Sequence, residues 1–344
     1  MSWIPELVRS APTPGPESLA LGHSLVDGYL AFVGARARPN THLASAYDLK
    51  VFFTVVAKEP VEVTTSDVLA FIEQQRQPRQ GSNVVRLEDG EAGLSARTIK
   101  RRISTVSGLF SYLVVRGDIA SNPVPRGLAT RRALRGGKRE TVPLLRVPRA
   151  LPRVLSTDDA NALLAALRTR RDQAMVQAML LGGLRRCEVL GLRLEDLKPG
   201  QNRVFVAEGK GGHQRVVPLS PRCFQTIGDY LDHERPRTSQ TGRVFVVLKG
   251  SHRGRPLTAS GVDEVIRGAC RRAGLEKITC HQLRHTCLTR LREAGMALEA
   301  VQAQAGHASI ESTRIYLHLT NDWLADEYMR AAEAIAVQAI EVGS

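Results

Sequence analysis

Residues 279–295 read TCHQLRHTCLTRLREAG. Thr279 and Gln282 have the spacing of a capping box and Gly295 supplies a stop, so the stretch predicts a helix bounded at both ends. Leu283, Cys287, Leu291 and Ala294 recur at three- and four-residue steps and form its apolar stripe. His281, Arg284 and His285 lie three and four residues apart on an adjacent face, where imidazole and guanidinium can point at one small target. Two histidines at i and i+4 are also a zinc geometry. A zinc-protease helix, however, carries Glu after the first His, whereas this chain has Gln282 and no evident third ligand, so no metal and no cofactor are expected. Taken alone, the helix reads first as surface His and Arg without a role.

Upstream, residues 179–197 read MLLGGLRRCEVLGLRLEDL. Gly182 and Gly183 end one helix, and Arg185 and Arg186 open another that runs through Glu188, Val189 and Leu190. Cations in a first turn oppose the helix dipole by a few tenths to about 1 kcal/mol, a conflict that a bound anion relieves and that a pair with Glu188 also relieves. The run RVFVAEGKGGHQRVVPL (203–219) predicts two short β-strands joined at residues 209–212, a hairpin with Lys210 at its tip. Such a lysine can enter a DNA groove, donate a proton or simply be solvated. A further strand is expected over Val244 to Leu248, and helices over Ser156 to Leu167, Asp172 to Leu181 and most of the chain after Ser260. In QAGHASIESTRIYLHLT (304–320), His307 follows a C-cap glycine, and Tyr316 sits among Ile315, Leu317 and Leu319, by default as half-buried packing.

The first third of the chain reads as helical over 18–34, 40–57, 65–77 and 95–116, with a polar loop over 78–94. In the last helix Ile99, Ile103, Val106, Leu109, Phe110 and Leu113 share a face, and Arg97, Lys100, Arg101 and Arg102 cluster at its start. The 344 residues are 43% hydrophobic and 24% charged, the balance of a folded globular protein, and their number suits two domains. The net charge of +14 favours a polyanionic partner, nucleic acid or an acidic membrane surface. That charge is uneven: 1–125 carries +1, 126–153 carries +8 and 154–344 carries +5. The middle segment holds Arg131, Arg132, Arg135, Lys138 and Arg139 with Gly136-Gly137, Pro143, Pro148 and Pro152, so it reads as a basic linker. It is either a solvated connector or an arm that holds a polyphosphate close. No stretch approaches the roughly 18 apolar residues of a membrane span, and the N-terminus lacks the pattern of a secretory signal. Five cysteines without a C-x-x-C pair suit a reducing compartment, so a cytoplasmic protein without a membrane partner is expected.

Taken in order, GLRRCEVLGL (183–192), EGKGGHQRVVPL (208–219), HQLRHT (281–286), AGHASI (305–310) and TRIYLH (313–318) resemble the tyrosine recombinase family, of the phage-integrase type. Each motif alone is weak, whereas the ordered set is specific. The resemblance implies a mainly α-helical fold with a small antiparallel β-sheet, arranged as a two-domain DNA clamp. It divides the chain into a tail (1–17), a helical core-binding domain (18–125), the basic linker (126–153), an α/β catalytic domain (154–322) and a C-terminal helix (323–344). That last helix is expected to dock on a neighbouring protomer or on its own domain. With the first helix read from residue 18, there is no room for a separate arm-site-binding domain, and recombination at simple core sites is expected.

The resemblance also implies roles. Tyr316 would be the nucleophile, Arg185 and Arg284 the ligands of the phosphate, His281 a base or orienter, Lys210 the acid for the leaving oxygen and His307 a hydrogen-bond partner of the phosphate. Glu188 would support the site. Arg97, Lys100, Arg101 and the cations of the linker would hold double-stranded DNA, on which a homotetramer is expected. Two alternatives stay open, DNA relaxation of the type IB topoisomerase kind and non-catalytic DNA binding.

Overall fold

The computed structural model describes residues 3–10, 18–77, 93–125, 127–129, 141–142, 145, 153–207 and 214–306. The chain divides into two compact units, Met1–Arg149 and Ala150–Ser344. The described residues are mainly helical with small antiparallel sheets, the fold class expected from the sequence. The basic linker beyond a few of its residues, most of the 78–94 loop, Lys210, His307, Tyr316 and the C-terminal helix lie outside the described residues. Among the described residues no helix is long and apolar enough to cross a membrane.

In the first unit, β1 (Val8–Ser10) pairs antiparallel with β2 (Ser18–Ala20), with Arg9 opposite Leu19. Helix α1 spans Ser24–Arg36, not 18–34. Gly22 turns the chain at φ +83°, a conformation that favours glycine, and His23 caps the helix by accepting the Leu25 amide at 3.2 Å. Residues 18–20 therefore belong to a ladder that their own periodicity does not announce. Trp3 reinforces it, donating from Nε1 to the Leu21 carbonyl at 2.9 Å and packing on His23 and Phe53.

Helices α2 (Pro39–Val56), α3 (Thr65–Arg76) and α4 (Ala96–Arg116) follow the expected segments closely. Thr64 and Asp67 form a full capping box at the start of α3, Ser95 caps α4, and Gly117 at φ +85° ends it. The six apolar residues read on α4 are all buried, and beyond it β3 (Leu128–Ala129) pairs antiparallel with β4 (Thr141–Val142). The core centres on Phe52, which meets Phe53, Phe71 and Phe110 in edge-on geometry at 5.1, 5.0 and 6.3 Å. Truncating Phe52 to alanine leaves a cavity that α2, α3 and α4 cannot all close. Phe52→Ala is expected to cost this unit about 3–5 kcal/mol, read as a lower urea midpoint of its unfolding transition.

In the second unit, α5 (Thr157–Ala165) and α6 (Arg170–Leu180) are capped by Ser156 and Thr169, each accepting an amide three residues on. Helix α6 is buried along almost its whole length and is the spine of this core. A short α7 (Arg186–Gly191) follows, and β5 (Leu197–Lys198), β6 (Arg203–Val206) and β7 (Arg215–Pro218) form an antiparallel sheet with Val204 opposite Val217. Helices α8 (Pro221–His233), α9 (Ala259–Arg272), α10 (Cys280–Glu293) and α11 (Leu298–Ala305) complete the described part.

The strand expected over Val244 to Leu248 does not form. Val246 makes only an isolated bridge to Pro256, and the Tyr230 hydroxyl takes the backbone instead, donating to the Val244 carbonyl at 3.0 Å and accepting the Val246 amide at 3.2 Å. The run's other backbone groups pair with separate segments, the Val244 amide with the Leu192 carbonyl, the Val247 amide with the Arg255 carbonyl and the Phe245 carbonyl with the Leu257 amide, so its bonds are divided and no ladder extends.

Candidate active site

The predicted helix over 279–295 is present as α10, with the Thr279–Gln282 capping box complete and Gly295 at φ +88° beyond its end. Its surroundings differ from the one-striped helix of the sequence reading. Leu283 and Cys287 are buried, and so are Arg284, His285, Thr286 and Thr289, so this helix is enclosed on most sides. Thr286 accepts the Leu155 amide at 3.0 Å, and Arg290 donates to the Leu155 carbonyl at 3.2 Å, which ties the helix to the start of the unit.

Arg185 occupies the cap position of α7, one residue before the helix begins. Glu188 completes the turn, accepting the Arg185 amide at 2.9 Å through one carboxylate oxygen and Arg185 Nη1 at 2.7 Å through the other. The pair that the sequence offered as an alternative to a phosphate site is thus formed, and it orients Arg185. Glu188 itself is 3% exposed and is met by two further guanidiniums. Arg215 of β7 binds it in a fork, Nη1 and Nη2 each 2.9 Å from a different carboxylate oxygen, and Arg284 of α10 approaches to 3.8 Å.

The same three arginines dock on successive carbonyls at the end of α11. Arg215 Nε donates to Gln304 at 3.4 Å, Arg284 to Ala305, and Arg185 to Gly306 at 3.2 Å. These carbonyls lack partners within the helix and form the negative end of its dipole, so they suit cations. Arg284 donates also to the Gly183 carbonyl, in the glycine pair that precedes α7. Gln304 holds the arrangement from behind, its amide donating to the carbonyls of Gly182 at 2.8 Å and Pro218 at 3.2 Å.

Burial pushes the Glu188 carboxyl up, but hydrogen bonds from Arg215 and the Arg185 amide, with the Arg215 charge, outweigh it and bring the pKa down to about 2. Burial lowers the pKa of His281, helped by the charges of Arg284 and Arg185. Burial with the charges of His281 and Arg284 brings His285 down to about 4. Both imidazoles, tilted at 31° with their centroids 5.8 Å apart, are therefore neutral at pH 7, and the exposed His281 can accept a proton.

Arg185, Arg284 and His281 line one open cleft of about 520 Å³, together with Arg186, Arg267 and Lys277. Asp263 is the acidic group there, and it is engaged by Arg186. The structure thus brings together Arg185, Glu188, His281 and Arg284, while Lys210, His307 and Tyr316 lie outside the described residues. In the first unit Arg97 and Lys100 are exposed on α4. Arg101 is half exposed and donates to the buried Asp48, which also attracts Arg102 at 3.7 Å, so its charge is partly directed inward. Arg131, Arg132, Arg135, Lys138 and Arg139 lie outside the described residues.

Sequence reasoning missed Arg215 and Gln304. A signal for Arg215 existed: with Val217 it shares the inner face of β7, while Val216 and Pro218 point outward.

The second unit thus carries an open cleft lined by Arg185, Arg186, Arg267, Arg284, Lys277 and His281, a cationic surface suited to an anionic ligand. Residues 153–322 match the phage integrase family. The chain is 31% identical over 321 residues to tyrosine recombinase XerD of Listeria monocytogenes, an alignment covering 89% of this chain and 97% of that protein. It is 27% identical over 350 residues to transposase A from transposon Tn554 of Staphylococcus aureus, covering 95% and 96%. The Tn1549 transposon integrase, in its structure with transposon right end DNA, shares the fold with a TM-score of 0.67 at 19% identity, covering 90% of this chain and all of that one. The chain belongs to the tyrosine recombinase family and is a site-specific recombination enzyme.

The depressed pKa of Glu188 makes the site acid-sensitive. The folded pKa of about 2 lies below the ordinary value of 4.5, so the stability it contributes is present above about pH 4.5 and is lost as pH falls towards 2. Glu188→Gln is expected to unfold more readily at pH 7, by on the order of 3 kcal/mol, and the gap to wild type should close between about pH 4.5 and 2 in thermal melts.

Proposed function

We propose that this recombinase cleaves DNA by transesterification at Tyr316 and exchanges strands between two duplexes through a four-way junction. The observation that carries the reading is the convergence of Arg185 and Arg284, positioned through Glu188, on the cleft that also holds His281. In a phosphoryl transfer the charge on the non-bridging oxygens must be stabilised, and a preorganised cation at that place contributes roughly 10³-fold or more. The guanidiniums here are already held by a carboxylate and by carbonyls, so they need little reorganisation when phosphate arrives.

The tyrosine phenol, with a pKa near 10, loses its proton as its oxygen attacks phosphorus, and the neutral His281 is placed to receive or orient that proton. The bond from phosphorus to the 5′ oxygen breaks while the bond to the Tyr316 oxygen forms. Lys210 supplies a proton to the leaving 5′ oxygen, which departs as the hydroxyl, and His307 donates a hydrogen bond to the phosphate; both roles follow from the resemblance of the motifs. Attack by the 5′ hydroxyl of another strand reverses the step, so the phosphotyrosyl bond conserves the energy and no nucleotide is consumed.

Double-stranded DNA is the substrate in this reading. Arg97, Lys100 and Arg101 on α4, with Arg131, Arg132, Arg135, Lys138 and Arg139 in the linker, supply backbone contacts that position it. The similar Tn1549 integrase was solved with transposon right end DNA, and a lambda integrase of the same fold was solved as a dimer on a COC′ core site, which supports this substrate. The similarity to a Tn554 transposase supports a mobile element as the setting. Exchange between two sites requires four protomers, so a homotetramer is the proposed assembly.

On a nicked suicide substrate, wild type is expected to form a covalent adduct that resists denaturation, and Tyr316→Phe is expected to bind DNA with unchanged affinity and form none. An adduct that persists in the variant would move the nucleophile elsewhere. The same enzyme should resolve a synthetic four-way junction; relaxation of a single supercoiled circle without junction resolution would favour the topoisomerase reading.

A further inference from the structure

We propose that Arg215 is a positioning residue of this active site: its guanidinium clamps Glu188 to the turn at Gly306 and thereby sets Arg185 and Arg284 to receive the scissile phosphate. The inference rests on the reading of that cleft as the phosphate site and assigns a function to a side chain outside it.

Arg215 does not line the cleft, and its side chain is 12% exposed. Both of its terminal nitrogens are committed to Glu188 at 2.9 Å, and Nε turns to the Gln304 carbonyl. It is therefore built to hold protein rather than DNA. Its plane is pressed against Gly306: a Cβ on that glycine would lie 2.8 Å from Arg215 Cζ, and the glycine has φ +58°. The backbone conformation favours glycine at the position immediately before His307, and a side chain there would push on the Arg215 guanidinium. Arg215 also opens β7, five residues after Lys210, with Val206 of β6 opposite it. One side chain thus joins the sheet, α7 and the end of α11.

The carboxylate of Glu188 explains why a clamp is needed. The charged groups facing it are Arg185 on its own turn, Arg215 from β7 and Arg284 from α10, while α11 presents backbone carbonyls that hold the same arginines. With Arg215 occupying both oxygens, Arg284 stays 3.8 Å away. Without that fork, the buried carboxylate must draw Arg185 and Arg284 towards itself or take up a proton, and either response moves the phosphate ligands.

The test uses the full-length enzyme on the suicide substrate, with adduct rates measured from pH 5 to 8 for wild type, Arg215→Gln, Arg215→Lys, Glu188→Gln and the Arg215→Gln/Glu188→Gln double variant. Arg215→Gln is expected to form adduct about 10²-fold more slowly while binding DNA nearly as wild type does, because misplaced ligands cost rate before affinity. Its rate relative to wild type, in which the titration of His281 largely cancels, should fall further as pH drops and Glu188 takes up a proton. Glu188→Gln should cost less in the Arg215→Gln background than alone, since the two act as one unit. Arg215→Lys keeps the charge and loses the fork, so it should recover only part of the rate.

An Arg215→Gln enzyme that reacts at the wild-type rate would overturn the proposal, as would a loss that is equal at every pH and multiplies with that of Glu188→Gln. Should Arg215→Gln fail to fold, Arg215→Lys decides: a slower adduct with unchanged melting supports the clamp, and wild-type kinetics overturn it. A wild-type enzyme that forms no adduct would instead remove the reading of the cleft, and the clamp with it.

Discussion

A single buried carboxylate, that of Glu188, organises the catalytic unit. Three guanidiniums gather around it, and each docks on a different carbonyl at the end of α11. Removing a carboxylate from water costs several kcal/mol, a penalty offset only where the geometry is good and the remaining lone pairs are filled. Here Arg215 fills them in a fork, the Arg185 amide adds a further bond, and the pKa falls to about 2 in spite of burial. The arrangement is also directional. Arg185 and Arg284 line the cleft whereas Glu188 and Arg215 do not, so in the proposed mechanism those two guanidiniums meet the phosphate.

Other features of the unit serve this arrangement. The Gly182–Gly183 turn brings its carbonyls to Gln304 and Arg284, and Gly183 adopts φ +67° to do so. Helix α10 is enclosed so that Arg284 and His285 are held in place, while His281, one turn earlier, stays exposed at the cleft. Depression of the imidazole pKa values follows first from burial and then from neighbouring charge, that of Arg284 at both rings, so the cleft keeps His281 neutral.

The sequence carried these features unequally. Apolar periodicity places α3 and α4, and a capping spacing with a glycine stop places α10, to within a residue or two, because those signals are local. The start of α1 is not legible, since residues 18–20 owe their strand to Val8–Ser10 and not to their own alternation. The run at Val244 looks like a strand and is not one, because its backbone groups are divided among the Tyr230 hydroxyl and the backbone of Leu192, Arg255 and Leu257. For the site, Arg185, Glu188, His281 and Arg284 came from ordered motifs and do converge. Arg215 stood in the quoted EGKGGHQRVVPL run without a role, because a charged residue on an inner strand face gains meaning only when a carboxylate 27 residues upstream is seen to meet it.

The most direct measurement is a crystal structure of the Tyr316→Phe enzyme on its DNA site, read for the distances from the scissile phosphate. The account predicts non-bridging oxygens within hydrogen-bond reach of Arg185 and Arg284, about 2.7–3.2 Å, with Arg215 still forked on Glu188 beneath them. A phosphate seated away from both arginines, or Arg215 swung off Glu188 onto the DNA, would contradict it.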